Sequence, residues 1–167
     1  MTPAFVVVPL EKTHDRDGFS CGVEALDRYF RQQVTQDIRR RIASCFVAVE
    51  RIGGMVAGYY TLAATGIALT SLPEEVRRKL PRYPSVPAVR MGRLAVAEGF
   101  AGQGLGVALL ADALARTTAS DIAAYALIVD AKDERAANFY RHHGFRPFEG
   151  NPLMLYFPLG GLGRLVE

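Results

Sequence analysis

Apolar positions along the chain come in two spacings that alternate. Phe5-Val6-Val7-Val8 is a continuous run closed by Pro9 and predicts a short first strand. Phe19-Ser20-Cys21-Gly22 reads as a loop. From Val23 to Arg40 the spacing becomes helical, with Leu26, Phe30, Val34 and Ile38 on one face. Ser44–Val49 and Met55–Leu62 flank Arg51-Ile52-Gly53-Gly54 and predict a hairpin of two strands. Pro73-Glu74-Glu75 predicts the start of a short helix, because the fixed φ of proline suits a first turn and the acids face the positive end of the dipole. Prolines 81, 84 and 87 then lead into another strand, Ala88–Val96.

That strand changes parity. Val89 and Met91 share one side, Leu94 and Val96 the other. A switch across Gly92 predicts a β-bulge, and a strand covered on both faces would show the same mixture. Next come Gly99-Phe100-Ala101-Gly102-Gln103-Gly104-Leu105-Gly106, a helix expected over Val107–Thr118, and a strand over Tyr125–Asp130. A helix over Glu134–His143 is stopped by Gly144, and Met154–Pro158 predicts a last strand. Gly160-Gly161-Leu162-Gly163 reads as a flexible tail. Strands and helices mixed in this order predict one α/β (α+β) domain over residues 1–167.

Composition narrows the class. With 167 residues, half of them hydrophobic, the chain has material for one core, which excludes a disordered chain and a disulfide-stapled miniprotein. Ile52–Pro73 carries no charge over 22 residues, but glycines 53, 54, 58 and 66 and threonines 61, 65 and 70 make it read as buried strands rather than a membrane span. The Phe5–Val8 run is too short for a secretory leader, and acids follow it at Glu11, Asp15 and Asp17. Two cysteines, Cys21 and Cys45, stand at no metal-ligand spacing, so the expectation is a reducing cytoplasm, no metal and no membrane partner.

Charge is lopsided. Between Arg28 and Arg93, 12 bases face 4 acids, and elsewhere 8 bases face 13 acids. Arginine supplies 17 of the 20 bases, grouped as Arg39-Arg40-Arg41 and as Arg77-Arg78-Lys79 with Arg82 nearby. A planar guanidinium suits phosphate, so a polyanionic partner fits this segment, as do plain solvated helix faces.

Glycines 102, 104 and 106, between a strand and a helix, let the backbone approach a ligand closely. They also leave unpaired N–H groups where an anion is stabilised. The run is neither a Walker loop, since no Gly-Lys-Ser/Thr follows, nor a GxGxxG fingerprint, since Leu109 stands at its last position. By itself it is a phosphate cradle or an ordinary turn. The second candidate is the helix Asp133–His143 running into Gly144-Phe145, where Tyr140 lies one turn from Ala136. A phenol with an ordinary pKa of about 10 is a poor base but a competent acid toward a thiolate leaving group. A packing tyrosine is the alternative, a role the pattern also assigns to Phe139. His142 and His143 suit the negative end of the helix dipole, and both cysteines read as small buried residues.

At these residues the sequence resembles the GNAT superfamily of N-acetyltransferases: Gly102–Leu110 is similar to its acetyl-CoA motif and Ala136–Phe145 to its C-terminal motif. The chain departs from the pattern at Ala101, where the family usually carries Arg or Gln, and at Asp133, where it frequently carries Asn. A narrower resemblance spans nearly the whole chain. Gly18–Gly22, Gly58-Tyr59-Tyr60-Thr61-Leu62, Gly92-Arg93-Leu94-Ala95-Val96, Gly102–Gly106 and Phe139–Phe145 are similar, in kind and order, to acetyltransferase toxins of bacterial toxin–antitoxin pairs.

The resemblance implies a mixed, mostly antiparallel sheet flanked by helices, whose fourth and fifth strands splay to admit acetyl-CoA. It implies cofactor contacts at Leu94, Ala95, Val96, Ala101, Gly102, Gln103, Gly104, Leu105, Gly106, Val107 and Asn138. An N–H near Leu94 would polarise the thioester carbonyl and Tyr140 would protonate the departing thiolate. The implied partners are aminoacyl-tRNA, acetylated at its α-amine, a ribbon–helix–helix antitoxin, and a second copy in a homodimer. Arg39, Arg40, Arg41, Arg77, Arg78, Lys79, Arg82, Arg90 and Arg93 are then the expected RNA contacts. An acetyltransferase for a small amine or a protein N-terminus, and a degenerate member that binds CoA or nucleic acid without catalysis, remain the alternative readings.

Overall fold

In the computed structural model, which describes residues 4–160, the first strand is β1 (Phe5–Pro9). The expected helix over Val23–Arg40 is present but broken into α1 (Glu24–Arg28), a π-helical turn (Tyr29–Gln33) and α2 (Val34–Arg39). The hairpin is β2 (Ser44–Glu50) and β3 (Val56–Ala68), the second strand running well past Leu62 into the uncharged stretch. A short α3 (Glu74–Arg77) follows Pro73, and β4 spans Ser85–Val96. Then come α4 (Leu105–Ala119), β5 (Ala126–Asp130), α5 (Glu134–His142), β6 (Arg146–Phe148) and β7 (Asn151–Pro158). The strands form a seven-stranded sheet in the order β1-β2-β3-β4-β5-β7-β6, with β4 and β5 parallel and the β1–β2, β2–β3, β5–β7 and β6–β7 pairs antiparallel. The expected α/β class and mixed sheet are therefore what the chain adopts. Of the expected tail, residues 161–163 lie outside the described residues.

The described residues divide into two compact units, 4–63 with 92–113 and 64–91 with 114–160. In the first, β1 pairs with β2 from Phe5 opposite Glu50 to Pro9 opposite Phe46. Its core gathers Phe19, Phe30, Val34, Val47, Tyr59 and Ala95. Phe30 stacks on Tyr59 with ring centroids 4.3 Å apart, and Phe19 meets both edge-on. The buried Tyr59 hydroxyl donates to the Leu26 carbonyl at 2.7 Å, so this large ring brings no unpaired polar group inside. On the other face of β3 the chain needs glycine at 58. A Cβ there would come within 2.9 Å of both the Ala95 carbonyl oxygen and Leu109 Cδ1, so the bare backbone is what lets α4 lie close against β3. Tyr60, on that face, donates its hydroxyl to Asp112 of α4 at 2.5 Å.

In the second unit β4 and β5 run side by side, Ala88 opposite Ala126 through Met91 opposite Val129. Antiparallel β7 closes the other edge of β5, Ala126 opposite Pro158 through Asp130 opposite Met154. Ile67, Leu72, Val86, Ala88, Ile128, Phe148 and Tyr156 form its core. The parity switch expected in β4 is present but displaced. The buried positions are Val86 and Ala88, then Met91 and Ala95, so the change falls between Ala88 and Met91 rather than across Gly92. The strand β6 had no periodic signal, having three residues with a proline at its centre.

Candidate active site

The glycine run does what its composition allows. In the first unit β4 ends at Val96, a 3₁₀ turn (Glu98–Phe100) follows, and Phe100 is pinned edge-on to Phe5 of β1 with centroids 5.7 Å apart. Gly102 and Gly104 then take φ of +81° and +77°, a region L-residues rarely adopt. A Cβ at either would meet nothing within 4 Å, so open space lies over the turn. The expected helix begins two residues earlier than its apolar pattern, at Leu105, with the Ala108 N–H bonded to the Gly104 carbonyl. The Ala101 N–H donates to the Glu98 carbonyl at 3.3 Å, whereas the N–H groups of the first helical residues have no intrahelical partner. No acid stands in that first turn. An anion there would meet amide donors and the positive end of a 15-residue helix. Ala101, Gln103 and Val107 are exposed beside the turn, Leu105 is buried as its anchor, and Gly106 is half-buried. Ala95 is buried, and Leu94 and Val96 are half-buried.

The second unit holds Tyr140. Asp133 caps α5, its carboxylate accepting the Ala136 N–H at 2.8 Å, so the position where the family frequently carries Asn is here occupied in starting the helix. Gly144, at φ +94°, ends it, and a Cβ there would press to 3.0 Å on Phe157. Between these stops the buried residues are Ala137 and Tyr140, with Ala136 half-buried. Tyr140 is 6% exposed, its ring held by Phe139 at 5.3 Å and Phe145 at 5.6 Å. Packing does not exclude chemistry at this residue. The ring packs, while no hydrogen bond to its hydroxyl occurs among the described residues. Burial, with a smaller contribution from the Asp130 charge, pushes the phenol up to about 12, so it stays protonated at neutral pH and can act as an acid. Phe139, expected as the packing residue, is only half-buried and shares its face with His143 at 4.9 Å. Asn138 is exposed and its side-chain oxygen accepts from Arg141, which also pairs with Glu134 at 2.7 Å.

The expected RNA contacts divide between the units. In the first, Arg39, Arg40 and Arg41 are exposed at the end of α2, and Arg41 takes φ +59°. Arg93 is half-buried with its guanidinium 3.4 Å from the centre of the Tyr29 ring. In the second, Arg77, Arg78, Lys79 and Arg82 are exposed, Arg78 pairing with Glu74 at 2.9 Å, and Arg90 forms an ion pair with Asp130. Cys45 is buried and its thiol is pushed up to about 12 by burial, which fits the packing role read for it. The sequence reading missed Tyr29, Asp37 and Asp130. Tyr29 meets Arg93 and Asp130 meets Arg90 across long separations that no local spacing reveals, and Asp37 is reached by Tyr29 only because a π-helical turn lies between them.

Among the described residues no helix is long and apolar enough to cross a membrane. The acetyltransferase (GNAT) domain family matches residues 41–147. A tRNA-acetylating toxin of Mycobacterium tuberculosis (strain ATCC 25618 / H37Rv) is 36% identical over 143 residues, covering 84% of each chain. The solved structure of AtaT complexed with acetyl-methionyl-tRNAfMet superposes with a TM-score of 0.90 at 29% identity, covering 98% of this chain and 99% of that one. A mutant AtaT toxin bound to the C-terminus of the antitoxin AtaR and acetyl-CoA superposes at 0.81 with 26% identity, covering 98% and 99%.

Proposed function

The chain belongs to the GNAT family of acetyltransferases, and from that premise we propose that it transfers the acetyl group of acetyl-CoA to the α-amine of an aminoacyl-tRNA, as a toxin that blocks translation. The observation that carries the acceptor is the likeness, along nearly the whole chain, to a protein solved with acetyl-methionyl-tRNAfMet. The donor reading is supported by the open turn at Gly102 and Gly104, whose amides fit a pyrophosphate.

Acetyl-CoA supplies the acetyl group as a thioester. The turn at 102–107 holds its pyrophosphate, and the backbone of Leu94–Val96 pairs with its pantetheine arm. The Leu94 N–H donates to the carbonyl oxygen as negative charge grows on it. As the amine nitrogen bonds to the acetyl carbon and the carbon–sulfur bond breaks, the Tyr140 hydroxyl gives its proton to the sulfur, and the proton shed by the amine restores the phenol by way of solvent. The attacking amine needs no strong base, since an α-amino group has a pKa of about 7.7–8.0 and an esterified one lies lower. The exposed arginines of 39–41 and 77–82 hold the RNA by charge. A ribbon–helix–helix antitoxin restrains the enzyme, which works as a homodimer on the charged tRNA of the cytoplasm.

Incubating the protein with labelled acetyl-CoA and a pool of charged tRNAs tests this reading. Label entering the aminoacyl fraction, and lost in Tyr140→Phe, is the expected result. Label entering only small amines or peptide N-termini overturns the acceptor and leaves the family assignment intact.

A further inference from the structure

Arg93 precedes Leu94 on β4 and shares its parity with Ala95, which packs in the core with Tyr29 and Phe30. Its guanidinium carbon lies 3.4 Å from the centroid of the Tyr29 ring, which is a face-on contact. The Tyr29 hydroxyl donates to Asp37 Oδ2 at 2.7 Å, and Gln33 Nε2 donates to Oδ1 at 3.2 Å. The π turn at 29–33 sets this up, closing with the Val34 N–H on the Tyr29 carbonyl, one residue wider than an α-turn. The hydrogen bond from Tyr29 holds the Asp37 carboxyl below its usual range, with Arg93 adding to the effect. Tyr29 itself is pushed above the usual phenol range, first by burial and then by that bond, so the pair is a neutral phenol on a carboxylate.

Arg93 is the odd member of this group. A guanidinium carries five N–H donors in its plane, and stacking one face on a ring leaves its edges free. Among the described residues none of those donors makes a hydrogen bond or an ion pair, and both Asp37 oxygens are engaged elsewhere. A half-buried cation fixed in orientation and left without an acceptor fits an oxyanion from outside, and a fork of N–H groups matches two phosphate oxygens.

We propose that Tyr29 and Asp37 are positioning residues: they hold the Arg93 guanidinium flat so that its free edge clamps a phosphodiester at the acceptor end of the aminoacyl-tRNA. This rests on the function proposed above and adds to it a fixed anion contact one residue from Leu94. The exposed arginines attract the RNA diffusely, whereas Arg93 sets where its reactive end stops.

The test is steady-state acetylation of a charged tRNA, with acetyl-CoA affinity measured separately. Arg93→Gln should raise the KM for aminoacyl-tRNA about 10- to 100-fold while acetyl-CoA affinity holds. It should also lower the slope of log KM against log salt by about one contact. Arg93→Lys should restore the salt slope but not KM, since a point charge cannot stack and fork. Tyr29→Phe, which keeps the ring, and Asp37→Asn should each raise KM by a smaller factor, about 3- to 10-fold, with kcat nearly unchanged. An unchanged KM in Arg93→Gln, a wild-type KM in Arg93→Lys, or a loss of acetyl-CoA affinity in place of a KM effect overturns the proposal and leaves the enzyme's function standing. A wild-type protein that acetylates no aminoacyl-tRNA overturns both.

Discussion

The guanidinium of Arg90 on β4 is paired with the carboxylate of Asp130 at the end of β5, the parallel neighbour of β4. The same carboxylate bears on Tyr140, where its charge adds to burial in holding the phenol protonated. Arg90 therefore already has an anionic partner within the protein. Replacing it with Gln should leave the salt dependence of tRNA binding nearly unchanged, whereas replacing Arg39, Arg40 and Arg41 together should flatten the slope by about three contacts. Both members of the pair are partly exposed, so its loss should cost no more than about 1 kcal/mol of stability. Filter binding across a salt series, with thermal denaturation alongside, checks both expectations.

Removing the Tyr140 hydroxyl separates packing from chemistry. The ring contacts with Phe139 and Phe145 survive in Tyr140→Phe, so the fold and acetyl-CoA affinity should persist. Turnover should fall by about 10²–10⁴-fold, the range for losing a positioned general acid. Single-turnover rates and calorimetric titration with acetyl-CoA make the comparison.

The pH profile should have one limb. Activity rises as the α-amine loses its proton, near pH 7.7–8.0 or below for an esterified amine. The acid on the other side is Tyr140, raised to about 12, so no fall is expected until far into the alkaline range. An enzyme relying on a histidine acid would decline from neutral pH instead. Stability moves with the same shift. Since burial raises the folded phenol from 10.0 to about 12, its contribution is fully present below pH 10 and is lost as pH rises through the folded value. A profile of kcat/KM with denaturant midpoints at matching pH reads both.

Three glycines should fail in two different ways. Gly102→Ala and Gly104→Ala force an L-residue to positive φ in open space, at a cost of about 1–2 kcal/mol in holding the turn, felt as weaker acetyl-CoA binding with the fold kept. Gly58→Ala instead drives a methyl group to 2.9 Å from the Ala95 carbonyl and Leu109, which overpacking should make about 1–3 kcal/mol destabilising. Thermal midpoints and acetyl-CoA dissociation constants distinguish the two.

Features carried by local spacing were legible in the sequence. The strand, glycine run and helix around Gly102–Gly106 needed only residue order, and so did α5 between Asp133 and Gly144. The first helix shows the limit. Its apolar residues at Leu26, Phe30, Val34 and Ile38 keep a four-residue spacing, yet the π turn widens one turn and rotates α2 relative to α1. Phe30 and Val34 are fully buried in consequence, while Ile38 is 36% exposed. A period of 3.6 cannot show a turn closed five residues back. Likewise β3 outran its expected end because Ala63, Ala64 and Gly66 carry little strand propensity of their own and are held by the sheet. The stacking of Arg93 on Tyr29 joins residues far apart in sequence, and a list of basic residues treats Arg93 as one more surface charge.

The most direct measurement of the central claim is mass spectrometry of the terminal nucleoside released by nuclease from charged tRNA after incubation with acetyl-CoA and the protein. An N-acetylated aminoacyl-adenosine should form with the wild-type protein and form about 10²–10⁴-fold more slowly with Tyr140→Phe. An unmodified aminoacyl-adenosine from every charged tRNA in the pool, with acetyl-CoA bound and intact, would contradict the assignment.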